Sequence, residues 1–105
     1  MVPQFLPHAL HEKLASTAPP LVIDVRQPAE IAAEGTVAGA VAIPLGELPA
    51  RAGELPSDRQ IVCVCKVGMR SFNAAAFLRQ RGLDAANMAG GMAAWVGAGL
   101  PVERG

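Results

Sequence analysis

Apolar residues in this chain cluster in short runs, and helix-like stretches fall between them. "LVIDV" (21–25), "AVAIP" (40–44) and "QIVCVC" (60–65) are brief and rich in β-branched residues, the pattern of strands buried on both faces. "DAANMA" (84–89) is a weaker strand of the same kind. Between them lie segments with helical character. "PHALHEKLAS" carries Pro7 in its first turn and is stopped by Pro19 and Pro20, and "PAEIAAEG" ends at Gly35. "GELPARAGEL" reads as a short or irregular helix with Pro49 near its start. "RSFNAAAFLRQRG" is the strongest helix, with Arg79 and Arg81 in its last turn and Gly82 beyond its end. "GMAAWVGAG" closes the series. Strands alternating with helices predict a mostly parallel sheet covered on both faces, an α/β fold. In such sheets ligands sit beyond the carboxyl ends of the strands.

Composition narrows this picture. At 105 residues the chain is long enough for one domain, 1–105, and too short for two. Half of it is hydrophobic (51%) but only 4% is aromatic, so Ala, Val, Leu and Ile must build the core. Formal charge is zero and no long basic run occurs, which argues against nucleic acid or an anionic membrane as partner. The stretch Ala85–Val102 has Asn87 as its one clearly polar side chain, yet its glycines and Pro101 make it buried soluble structure rather than a membrane span. The first residues lack a basic, apolar leader pattern, so no secretory signal is expected. Cys63 and Cys65 are too close on an extended strand to bridge each other. Free thiols suit a reducing compartment, and a cytoplasmic location is expected.

The candidate chemistry lies in "CKVGMRS", Cys65–Ser71, between the third clear strand and the strongest helix. An ordinary thiol has a pKa of about 8.5 and is mostly protonated at neutral pH. Here unpaired amides at a helix start, the helix dipole, and the cations Lys66 and Arg70 all favour the thiolate. Gly68 lets the loop bring its amides around the sulfur. The alternative is a buried structural cysteine beside an ordinary turn.

On these residues the chain resembles the single-domain rhodaneses, a family of sulfurtransferases. "CKVGMRS" is similar to the family's C-x-x-G-x-R-S loop. "LVIDVRQPAEI", "GAVAIPLGEL" and "GGMAAWVGAGLPV" resemble its opening strand and helix, its next strand and turn, and its closing helix. The resemblance spans about residues 19–103. It implies a small five-stranded, mostly parallel sheet with helices on both faces. It implies that Cys65 carries sulfur as a persulfide, taken from a donor such as thiosulfate and passed to a thiol or protein acceptor. Lys66, Val67, Gly68, Met69, Arg70 and Ser71 would form the active-site loop, and no cofactor or metal is implied. In "GTVAGA", Thr36 and Ala38 stand where many members have His and Pro. Two other readings remain. One is a binding or sulfur-carrier module without catalysis. The other is a cysteine phosphatase or arsenate reductase, whose C-x5-R loop is one residue longer than the loop here.

Other residues have weaker claims. Asp24, Arg26 and Glu30 could set the field around Cys65, but an ion-pair network locking strand to helix is the plainer reading. Cys63 could resolve a disulfide, but reads better as core. His8 and His11 share a helix face without a third ligand in reach, so no metal site is expected. Trp95 and Phe72 are expected as core anchors. Met69 stands at the loop tip, either as a docking point or folded over the loop.

Overall fold

The structure, a computed structural model that describes residues 1–104, places the two strongest apolar runs side by side. Leu21–Asp24 (β2) and Ile61–Val64 (β4) pair in parallel, Leu21 opposite Ile61 and Asp24 opposite Val64. Ala85–Met88 (β5) joins the other edge of β4, with Cys63 opposite Asn87. Two short strands flank this centre: Gln4–Phe5 (β1) pairs with β5, and Val41–Ala42 (β3) with β2. The order is β1-β5-β4-β2-β3, and all neighbours run parallel.

Strand alternation sorts the core into two layers. Ile23, Ile61, Cys63 and Ala85 face one side, where they pack with Leu48 of α3 (Leu48–Arg51) and with Ala74, Ala75 and Leu78 of α4 (Met69–Gln80). Val22, Val62, Val64 and Ala86 face the other. There they meet Leu10 of α1 (Pro7–Leu14) and Met92 and Trp95 of α5 (Gly91–Gly97). Helices therefore cover both faces. Elements of seven or eight residues are not stable alone in water. Each is held by what it buries, at about 1.5–3 kcal/mol for each large apolar side chain removed from water. Trp95 also donates its indole N–H to the Pro101 carbonyl at 2.8 Å.

Two expectations need correction, and one strand has no counterpart in the sequence reading. The run 40–44 is not a buried strand: β3 is two exposed residues at the sheet edge, and burial resumes only at Ile43 and Pro44. An edge position leaves one side of a strand unpaired, so its apolar content need not be covered. Phe72 is not a core anchor but 39% exposed, because the buried positions of α4 are 71, 74, 75 and 78, which turn residue 72 toward solvent. Finally, β1 went unrecognised in the chain pattern, being two residues set between Pro3 and Pro7. The segment 45–54 is irregular as expected, with single turns of 3-10 helix on both sides of α3.

Candidate active site

β4 ends at Val64, and the next residue, Cys65, stands beyond the carboxyl end of the central strand. The chain then turns sharply into α4. Gly68 makes the turn with φ of +99°, a conformation that L side chains resist, and a Cβ there would also press on the Gly90 amide at 3.2 Å. α2 (Pro28–Glu34) approaches from the β2 side, and α5 closes over the loop's first residues. Met92 N–H donates to the Cys65 carbonyl at 2.8 Å and Ala93 N–H to the Lys66 carbonyl at 2.9 Å. This approach requires Gly91 (φ +62°), where a Cβ would lie 2.5 Å from the Cys65 and Lys66 carbonyl oxygens.

The Cys65 sulfur lies on the floor of this loop, with 1% of the residue exposed. The Gly68 amide donates to Sγ at 3.1 Å and the Ser71 amide at 3.3 Å; the Ser71 hydroxyl stands 3.2 Å away. Burial alone would push the thiol up. The Ser71 hydroxyl and the amides of Ser71, Gly68 and Val67 outweigh it and hold Cys65 below the ordinary thiol value. Cys63 has no such ring. Burial, and then the charge of Cys65, push it up to about 12. It lies in the same core layer as Ile23 and Leu78.

Both cations of the loop are engaged by carboxylates. Arg70 donates from both terminal nitrogens to Glu30, at 2.8 and 2.9 Å. Lys66 Nζ pairs with Glu34 at 2.7 Å. Glu34 also takes Arg26 Nη1 at 3.1 Å. Arg26, wholly buried, donates from Nη2 to Asp24 Oδ2 and to the Gly35 carbonyl, both at 2.7 Å, and from Nε to Asp24 Oδ1 at 3.0 Å. Asp24 and Arg26 thus tie the end of β2 to the end of α2. Glu30 belongs to the loop, through Arg70. Thr36 completes the frame by donating its hydroxyl to Asp24 Oδ2 at 2.7 Å.

Glu34 and Asn87 are functional-site neighbours that the sequence reading missed. Glu34 had a signal: it follows Glu30 by four residues and so shares its helix face. Asn87 had one too, as the lone polar side chain in the apolar stretch 85–102. It is 2% exposed, bonds Ser71 and holds the Gly68 carbonyl from Nδ2 at 3.1 Å. Val67 and Met69 stand exposed around the loop, 57% and 74%. The histidines are elsewhere: His11 sets its ring edge against Trp95 at 5.7 Å, and His8 is exposed. Among the described residues no three His, Cys, Asp or Glu side chains come together as a metal site, and no helix is long and apolar enough to cross a membrane.

Comparison with known proteins agrees over nearly the whole chain. Residues 6–98 match the rhodanese-like domain family. A protein of Allochromatium vinosum named a sulfurtransferase is 40% identical over 103 residues, covering 97% of this chain and 95% of its own length. Among solved structures, a rhodanese-related protein from Thermoplasma volcanium superposes with a TM-score of 0.89 at 32% identity, covering 96% of this chain and 97% of its own. A rhodanese-like domain protein from Staphylococcus aureus gives 0.87 at 30% identity, with 97% and 99% covered. By its matched residues and its five-stranded parallel sheet, the chain belongs to the rhodanese-like family and is of the sulfurtransferase kind.

Proposed function

We propose that this protein moves sulfane sulfur from a small donor to a thiophilic acceptor through a persulfide on Cys65. The observation that carries the reading is the ring of donors around a sulfur held below the ordinary thiol value. In the first half-reaction the Cys65 thiolate attacks the outer sulfur of a donor such as thiosulfate. A sulfur–sulfur bond forms to Cys65, the donor's own bond breaks, and sulfite leaves with the electron pair. In the second, an acceptor nucleophile (cyanide in an assay, a thiol or protein thiol in a cell) attacks the outer sulfur and Cys65 leaves as thiolate. This is covalent catalysis in two steps, so ping-pong kinetics are expected. The loop amides stabilise the negative charge as it moves between sulfurs. The reaction needs no cofactor or metal.

The geometry speaks against phosphoryl transfer. A C-x5-R cradle for phosphate is one residue longer than this loop, in which four residues separate Cys65 from Arg70. The shorter loop makes a smaller cradle, which suits the single outer sulfur of a donor better than a phosphoryl group with its oxygens. A cytoplasmic setting belongs to the same proposal, since it keeps Cys65 reduced between turnovers. The test is the mass of the intact protein after thiosulfate treatment. The native protein should gain about one sulfur and Cys65→Ala none. Transfer of thiosulfate sulfur to cyanide by Cys65→Ala at the native rate would overturn the proposal.

A further inference from the structure

Ser71 has one hydroxyl proton and two groups that claim it. Its Oγ lies 3.2 Å from Cys65 Sγ and 2.5 Å from Asn87 Oδ1. The far side of Asn87 fixes which way its amide points. Nδ2 reaches the Gly68 carbonyl at 3.1 Å and Gln4 Oε1 at 2.9 Å. A peptide carbonyl only accepts, so the amide nitrogen must face Gly68 and the amide oxygen must face Ser71. That oxygen also only accepts. While Cys65 is a thiol, every demand is met: S–H donates to Ser71 Oγ, and Ser71 donates to Asn87. Once Cys65 is a thiolate, the sulfur needs a donor instead. If the Ser71 proton turns to the sulfur, two oxygen lone pairs face each other at a separation that only a hydrogen bond permits. Asn87 has little room to retreat, because it is buried in β5 and tied to both β1 and the loop.

The geometry points to Asn87 as a positioning residue for Cys65: it competes with the sulfur for the Ser71 proton and so sets how readily the thiol becomes a thiolate. The inference rests on Cys65 being the reacting thiol. It gives Asn87 two opposed effects. Through Gly68, whose amide donates to Sγ, it keeps the donor ring formed. Through Ser71, it competes for one donor of that ring and weakens it. The other ionisable groups near the sulfur do not take part in this exchange. Lys66 is paired with Glu34 of α2, Arg70 of α4 with Glu30 of α2, and Asp24 of β2 with Arg26. Cys63 of β4, opposite Asn87 in the sheet, keeps its proton well above neutral pH. Gln4 of β1 is neutral.

The two effects separate in a double-mutant cycle read by the pH dependence of Cys65 alkylation with iodoacetamide, the alkylated residue being located by mass. Ser71→Ala should raise the midpoint, by removing a donor. Asn87→Ala should lower it where Ser71 is present, by roughly half to one pH unit as the hydroxyl is freed for the sulfur, and should not lower it in the Ser71→Ala protein. A rise in the Ser71-containing protein, or equal displacement in both backgrounds, would overturn the inference. Should Asn87→Ala not fold, the native protein decides. The 13C resonance of the Asn87 side-chain carbonyl should titrate with the alkylation midpoint, and should stay flat in Ser71→Ala, which keeps the Cys65 charge but lacks the shared proton. A flat native resonance, or equal titration in both proteins, would sink the idea. Alkylation uses no sulfur donor. A protein that shows this coupling yet takes up no sulfur from thiosulfate keeps the inference and loses the proposed function.

Discussion

Cys63 lies two positions before Cys65 in the same core layer, so parity alone cannot separate their roles. Their surroundings can. Cys65 meets a ring of amides and a hydroxyl, while Cys63 meets apolar neighbours and is pushed up to about 12, mainly by burial. A thiol that keeps its proton is a poor nucleophile and a poor resolving group. Cys63→Ala should therefore leave sulfur transfer within about twofold of native and lower stability by roughly 1 kcal/mol through a small cavity. A denaturant titration and a transfer assay on the same preparation check both halves. Activity as low as that of Cys65→Ala, in a folded protein, would make Cys63 part of the mechanism. At this scale the reacting loop was legible because its residues are contiguous, and a helix start after a strand has fixed chemistry. The partners were less so. Glu30 meets Arg70 from 40 residues away, Glu34 meets Lys66 from 32, and Asn87 meets Ser71 from 16. Local pattern does not fix such pairings: an acidic partner such as Glu30 is open to Arg70 from the sequence, whereas the Lys66–Glu34 pair emerges only in the fold.

The elements show the same division. β2, β4 and α4 were plain because each is long enough for its own periodicity to show. β1 and β3 have two residues each and are strands only because a neighbour offers a free edge, which no local run of two residues can signal. α5 was readable as a helix, but its task was not. Its first amides donate to the carbonyls of Cys65 and Lys66, and so clamp the loop from behind. That contact depends on Gly91, with its positive φ and no room for a Cβ. Gly91→Ala should therefore destabilise the fold by about 2–3 kcal/mol, combining backbone strain with displacement of α5. It should also slow sulfur loading of Cys65 more than a distant mutation of equal thermal cost, such as truncation of Leu78 near the far end of α4, in the other core layer. Loading rates of both variants, followed by mass at a temperature where both are folded, make the comparison. Equal loading rates would mean that the α5 clamp serves stability alone.

Across the whole molecule two kinds of cohesion meet at the loop. The β4–β5–α4 side is joined by apolar packing, whereas α2 is held to the loop and to β2 largely by ion pairs and has no buried residue of its own. These two respond differently to pH. Arg70, bonded to Glu30, holds that carboxyl down to about 2, against the partial opposition of burial. Lys66 likewise lowers Glu34. A carboxyl lowered in the folded state adds stability above its unfolded value of about 4.3, and that stability is lost as pH falls toward the folded value. These pairs are partly solvent-exposed, so the loss is modest in energy and local in place. On acidification from pH 5 to about pH 2, α2 and the first turn of α4 should therefore lose hydrogen-exchange protection before β4 and β5 do. Glu30→Gln should bring the same loosening at neutral pH, since it removes the charge that acid would remove. Amide exchange measured residue by residue across the titration tests this. Uniform loss of protection throughout the sheet and α2 together, or a Glu30→Gln protein with native protection in the loop, would show that the ion pairs decorate the loop and do not hold it.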